Sequence, residues 1–203
     1  MNDLGNLQEA EIAYRKAIEL KSDYAEAHSN MGVLLNDLGN LQEAELSYRK
    51  AIEIKPDFAK AHYNLGNILR DLGNLKEAEI STRKAIEINP NYANAHNNLG
   101  IILIDLGKLE EAELSYRKAI ELKPDFAEVH SNLGVLLQDL GKLKESFLCY
   151  EEALNIDNNL DEAKAGIGRI LLKTGKMREG VFKMKEAYGS INFNYKNSKI
   201  IIN

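Results

Sequence analysis

Tryptophan is absent from the 203-residue chain, proline occurs three times and cysteine once. A lone cysteine excludes an internal disulfide framework, and so few prolines leave long stretches free to be helical. Long apolar runs are missing too. No stretch approaches the ~20 residues that span a membrane, and the opening MNDLGNLQEAEIAYRK lacks the basic-then-apolar layout of a secretory leader. No membrane partner and a cytoplasmic location are therefore expected. Charge of one sign is also scarce: the formal net charge is -5, and Lys and Arg alternate with Glu instead of clustering, which argues against nucleic acid as a partner. Nor is there a nucleophile elbow, a phosphate loop or a His-Glu-x-x-His pair. The expectation is a protein that is not an enzyme and carries no cofactor.

What the chain does have is a period. Gly5, Gly39, Gly73, Gly107, Gly141 and Gly175 stand 34 residues apart, and Gly32, Gly66, Gly100, Gly134 and Gly168 share the register. So do Ala44, Ala78 and Ala112, and Pro56, Pro90 and Pro124. Internal repetition of this length is the signature of stacked repeats. His28, His62, His96 and His130 follow it as well. Packed helices lie about 8–10 Å apart, whereas the ligands of one zinc converge within ~2.0–2.1 Å of it, so these histidines are expected to pack between paired helices and not to bind metal. Cys149 stands where Ser47, Ser81 and Ser115 stand earlier, which reads as a structural position.

Each unit reads as two helices. Met31, Leu34, Leu35 and Leu38 form one apolar stripe, and Leu65, Ile68, Leu69 and Leu72 repeat it. That helix should stop at Gly39, where the left-handed turn is cheap only for glycine. A second helix carries Leu41, Ala44, Tyr48, Ala51 and Ile52 to the same core. The segment IKPDF then breaks the chain, with Asp57 the expected cap of the next helix. Gly32 and its equivalents sit inside the first helix at a cost of about 1 kcal/mol against alanine. They are expected to face the small alanine of the partner helix, so that close packing offsets the cost. Glu11 with Arg15, Glu45 with Arg49, Glu79 with Arg83 and Glu113 with Arg117 are helical ion pairs in the favourable orientation, expected on the outer face.

Leu65-Gly66, Ala78, Ala85 and Pro90 match the pattern of the tetratricopeptide repeat, which the chain resembles over nearly its whole length. Two departures stand out: the usual early tryptophan is histidine, and Thr82 replaces the second-helix aromatic once. The resemblance implies an all-α fold, a right-handed α-α superhelix of antiparallel helix pairs with a 34-residue period. It assigns a half repeat, second helix only, to 1–24, four full repeats to 25–160, a degenerate capping repeat to 161–194 and a tail to 195–203.

In that family the first helix of each pair lines a concave groove along which protein or peptide segments lie, so the resemblance implies an interaction scaffold. Helical spacing places Asn30, Tyr63, Asn64, Asn67, Arg70, Asn97, Asn98, Ile101, Asn132 and Gln138 opposite the core stripe as candidate ligand-binding residues. The column Asn30, Asn64, Asn98, Asn132 is unvarying. A carboxamide offers two donors and two acceptor lone pairs, enough to bond both sides of one ligand peptide unit whatever side chain it carries. The column resembles the asparagine ladder in the superhelix of the O-linked N-acetylglucosamine transferases. Two roles stay open for it: capture of ligand backbone, and bonds to neighbouring asparagines or helix carbonyls that stiffen the stack. Asp37, Asp71, Asp105 and Asp139 are expected to bond the turn that follows them. Acidic groups outnumber basic ones in the groove, which suits a neutral to basic partner. The competing reading is the recruiting arm of a larger, glycosyltransferase-like modifying enzyme.

The ends differ from the middle. A second helix beginning near Leu7 would lack a partner before it and leave Ile12, Tyr14 and Ala17 partly uncovered, as in a piece of a longer array or an end that self-associates. In 161–194 the core alanine becomes Gly180 and the aromatic Met184. Beyond, Ile191, Phe193 and Tyr195 alternate with polar residues as a strand does. One strand does not stand alone, which leaves fraying, folding back over the last helix, or the stub of a further domain.

Overall fold

Left-handed glycines end the first helices. In a computed structural model, which describes the backbone of residues 2–189, 191–194 and 199–202 and the side chains of 9–189, Gly39, Gly73, Gly107, Gly141 and Gly175 have φ between +74° and +85°. The Gly39 amide donates to the Asn36 carbonyl (2.9 Å) and the Asn40 amide to the Leu35 carbonyl (2.8 Å). These paired bonds satisfy the last carbonyls of the helix and reverse the chain at once. Gly5 does not act this way: it lies inside the first helix, α1 (Asn2–Leu20), which therefore starts earlier than Leu7.

The chain forms two units, Met1–Lys108 and Leu109–Asn203. The first holds α1, α2 (Ala25–Asp37), α3 (Leu41–Ile54), α4 (Ala59–Asp71), α5 (Leu75–Ile88) and α6 (Ala93–Asp105). The second holds α7 (Leu109–Leu122), α8 (Ala127–Asp139), α9 (Leu143–Ile156), α10 (Asp161–Lys173) and α11 (Met177–Tyr188), then β1 (Ile191–Asn194) and β2 (Lys199–Ile202). The boundary falls inside the expected repeat 93–126, between α6 and α7.

The apolar stripes pack as their spacing requires. In the first unit one core runs from Met31 and Leu35 of α2 through Leu65 and Leu69 of α4 to Ile102 of α6. Each such side chain contributes about 1.5–3 kcal/mol by leaving water, and it does so against the next hairpin, which is why repeats of this kind hold together only as a stack. The first helices also touch one another: α2 meets α4 and α4 meets α6, with no comparable contact between α3 and α5 among the described residues. The first helices therefore line one side of this unit, the side expected to be the inner wall. In the second unit α8 likewise meets α10.

Two local expectations fail. Asp57 does not cap α4, whose cap position is Phe58 without any side-chain cap bond. The Phe58 carbonyl accepts from the Ala61 and His62 amides (2.9 and 3.1 Å), so the helix begins one residue too late for Asp57 to reach its amides. At the far end the alternation at Ile191 and Phe193 is a strand, but it is paired: β1 and β2 run antiparallel with Ile191 opposite Ile202 and Asn194 opposite Lys199. The β-branched run of Ile200 to Ile202 carried that signal. Tyr195 lies outside the described residues.

Candidate binding wall on the first helices

The glycines inside the first helices lie against the small position of the partner helix, as expected, with the Gly180 carbonyl 3.1 Å from a Cβ on Gly168 and Ser146 Oγ donating to the Gly134 carbonyl at 2.7 Å, but a larger side chain meets them more closely. A Cβ on Gly32 would lie 2.7–2.9 Å from the Tyr48 ring, one on Gly134 2.8–3.1 Å from the Tyr150 ring, and one on Gly168 2.7 Å from Met184 Cγ. At Gly66 the nearest atom is Thr82 Oγ1, and the alanine contributes only the Ala78 carbonyl, 3.3 Å away. The glycines make room for the large residue four positions after the alanine, which crosses the hairpin and fills its centre. Tyr48 is 2% exposed and Tyr150 fully buried.

A tyrosine buried this way needs a partner for its hydroxyl, and the asparagine column approaches it from the next hairpin. Asn64 stands beside Tyr48, whose phenol is pushed up by burial and by the Asp37 carboxylate while the Asn64 carboxamide opposes the shift. Asn98 Nδ2 donates to Thr82 Oγ1 at 3.4 Å and is only 3% exposed. In α10 the column position is Gly166, against which the Tyr150 ring packs. There the Tyr150 hydroxyl is buried without a hydrogen bond of acceptable geometry, although Arg169 lies near it. Asn98 thus stiffens the stack as one of the two open roles described, but with a side-chain hydroxyl as its partner in place of an asparagine or a carbonyl.

The histidines take on a task beyond packing, in which His62 and His130 are buried. Nε2 of His28, His62, His96 and His130 bonds the carbonyls of Ser22, Pro56, Pro90 and Pro124 at 2.9–3.1 Å. Each ties its helix to the turn that precedes it, where a proline or its stand-in leaves a carbonyl exposed. The aspartates also differ from expectation. Asp37, Asp71, Asp105 and Asp139 are exposed, and Asp71 accepts from Arg70 at 2.9 Å. The turn amides beside them already bond backbone carbonyls, as Gly73 does with Arg70 and Asn74 with Leu69.

On the inner wall of the first unit, Asn30 is exposed, while Tyr63, Asn64, Asn67, Arg70, Asn97 and Ile101 are half-buried and Asn98 is buried. Tyr63 meets Tyr92 with ring centroids 5.0 Å apart. Elsewhere the aromatic at that second position is covered by a lysine: Lys21 on Tyr24, Lys55 on Phe58 and Lys123 on Phe126, at 4.5–5.5 Å. Asn89 stands where that lysine would be, so Tyr92 turns to Tyr63 instead. In the second unit Asn132 and Gln138 are half-buried on α8, and Gln138 Oε1 is buried without a partner.

The four expected ion pairs are present at 2.7–2.9 Å. Others join successive hairpins and were not foreseen: Arg49 to Glu77, Lys108 to Glu79, Arg117 to Glu145 and Lys142 to Glu113, all within 2.9 Å. Burial raises the Cys149 thiol, which suits a packing role. Among the described residues no helix is long and apolar enough to cross a membrane, and no three potential metal ligands cluster.

Family models match the chain from 2 to 160: a TPR repeat model over 2–39, 34–73 and 100–141, and tetratricopeptide repeat models over 59–92, 82–113 and 127–160. The chain is a tetratricopeptide repeat protein. Three solved structures show how widely the repeat stack is shared. YrrB, described as a TPR protein with an unusual peptide-binding site, is 24% identical with a TM-score of 0.70, covering 86% of this chain and 90% of its own. PilF of Pseudomonas aeruginosa is 25% identical (TM-score 0.72, 91% and 79% covered). MamA of Desulfovibrio magneticus is 16% identical (TM-score 0.72, 80% and 92% covered). No curated protein sequence matches the chain significantly.

Proposed function

We propose that this tetratricopeptide repeat chain is a non-catalytic interaction scaffold whose inner wall, on α2, α4 and α6, binds an extended segment of a partner protein. One observation carries the reading: a pair of aromatic side chains, found in no other repeat among the described residues, sits on this wall. Packing demands sameness in the core from one hairpin to the next, so a large side chain added at a partly exposed position is surface that the stack itself does not require. Tyr63 replaces the Ser29, Asn97 and Ser131 of its column, and Asn89 releases Tyr92 to join it. Paired tyrosines are rigid amphipathic contact surface of the kind enriched in binding sites.

Around them Asn30, Asn67, Asn97 and the free edge of Asn64 present carboxamides to a ligand backbone, while Asn98 supports the wall from within. The ladder reading is thereby narrowed to the rungs that keep surface. Arg70 is neutralised by Asp71 and Glu26 by Lys55, and Asp37 and Asp105 are exposed, which favours a neutral to basic segment. YrrB, of the same fold and described as peptide-binding, fits this mode.

Selection of a random peptide phage library on the full chain tests it. Enriched peptides should bind a Tyr63→Ala, Asn67→Ala variant at least about tenfold more weakly, as loss of an aromatic anchor and its polar neighbour does, with circular dichroism unchanged. Failure to enrich any peptide, or equal binding by the folded variant, refutes the proposal.

A further inference from the structure

The outer side of the first unit carries a surface that packing does not explain. Ile12, Leu46 and Ile80, one on each of α1, α3 and α5, are 66–69% exposed. They share the 34-residue register. A lone exposed aliphatic is ordinary; the same position left apolar and bare on three successive helices is a column. Ile12 is consequently not uncovered because it is near an end. The end effect shows instead at Tyr14 and Ala17, half-buried where Tyr48 and Ala51 are buried.

Charges flank the column in a fixed order. Three residues before each apolar position stand Glu9, Glu43 and Glu77, and three residues after it Arg15, Arg49 and Arg83, all exposed. Three residues are nearly one helical turn, so these groups lie on the same face, one turn to either side. Along each of the three helices the face reads acidic, apolar, basic, and between helices the rows meet, where Glu77 of α5 pairs with Arg49 of α3 at 2.6 Å.

We propose that this face associates with the same face of a second copy of the chain, about a two-fold axis running along the apolar column. That rotation sets the helices antiparallel across the interface, lays Leu46 on the second copy's Leu46, and brings each glutamate row against the opposite arginine row. A two-fold axis along the helices would set glutamate on glutamate and is excluded by like charge. The order of charges is its own complement, and the spacing between hairpins is identical in both copies. Register therefore extends from the contact at α3 to α1 and α5, as an isologous interface requires. Arg49 is already held by Glu45 and Glu77 at 2.7 and 2.6 Å. Its guanidinium has five donors, so it is fixed in place with capacity left for the second copy's Glu43.

The second unit has the column but not the order. Leu114, Leu148 and Phe182 are 61–68% exposed, but the residue three after Leu148 is Glu151 where the other helices have a base, so the same rotation opposes Glu145 to Glu151 on the middle helix. This proposal does not depend on the ligand-binding reading of the inner wall.

Sedimentation equilibrium of the full chain over a wide concentration range tests it. Wild type should approach twice the monomer mass; Leu46→Asp with Ile80→Asp should remain monomeric, with association weakened at least about tenfold, and Leu148→Asp should behave as wild type. Glu43→Lys with Glu77→Lys, and separately Arg49→Glu with Arg83→Glu, should each be monomeric alone. Mixed, they should associate, because both rows are then complementary. Circular dichroism confirms that each variant is folded. A monomeric wild type, dimers that survive Leu46→Asp with Ile80→Asp, loss of dimer through Leu148→Asp alone, or folded charge variants that do not associate on mixing overturns the proposal.

Discussion

Gly134→Ala isolates the physical reason for a glycine inside a helix. The added methyl would lie 2.8 Å from two atoms of the Tyr150 ring, where carbon atoms prefer about 3.5–4.0 Å. The ring cannot retreat, because it is fully buried and packs on Gly166 behind it. Overpacking of this size costs about 1–3 kcal/mol, while alanine returns about 1 kcal/mol of helix propensity. A net loss of about 1 kcal/mol follows.

The decisive comparison is the same substitution made in Tyr150→Ala. That variant is itself destabilised by about 3–5 kcal/mol through the cavity it leaves, but with the ring gone Gly134→Ala should stabilise, and the coupling between the sites should be about 1–3 kcal/mol. Urea unfolding followed by circular dichroism gives the midpoints, compared without assuming a two-state transition for a repeat array. If Gly134→Ala stabilises the wild-type background as much as the Tyr150→Ala background, the ring is not what keeps the glycine.

Asn64→Ala should destabilise by about 1–3 kcal/mol, since it strands the buried Tyr48 hydroxyl, and Tyr48→Phe in the same chain should recover most of that loss in urea unfolding; no recovery would mean that Asn64 does not serve the hydroxyl. The Glu113 carboxyl is held below its usual range by hydrogen bonds from Lys142 and then Arg117, against some burial. A depressed carboxyl adds stability above its unfolded pKa and loses it as pH falls through the folded value, so wild type should exceed Glu113→Gln at pH ~7 by about 0.2–1 kcal/mol, the scale of a screened surface pair. Thermal melts should show that gap closing below pH ~4; a gap that persists or widens in acid would refute the assignment.

Backbone demands were legible and side-chain meetings were not. A positive φ at Gly39 leaves a mark because almost nothing else tolerates it, and the stripe Met31, Leu34, Leu35 is fixed by helical geometry alone. Repetition at a fixed period then multiplies each mark. What a column of residues faces is a different matter, since it depends on how two helices are rotated about their own axes. The spacing that sets Gly32 against the small partner position gives no sign that Tyr48 also crosses the hairpin to it, nor that the histidines also reach back to the preceding turn. The outer column at Leu46 was hidden for the opposite reason: an aliphatic in an amphipathic helix looks like core until its exposure is measured.

The asparagine column shows how a constant residue misleads about function. Asn64 meets a tyrosine and Asn98 a threonine on the preceding hairpin, and where Gly166 replaces the asparagine the tyrosine hydroxyl goes without. The residue sixteen positions earlier is thus the first neighbour such a column answers to inside the stack. Tyr63, which varies within its column, meets Tyr92 across the hairpins, and under the proposed function it is this variation, more than the ladder, that would select a partner.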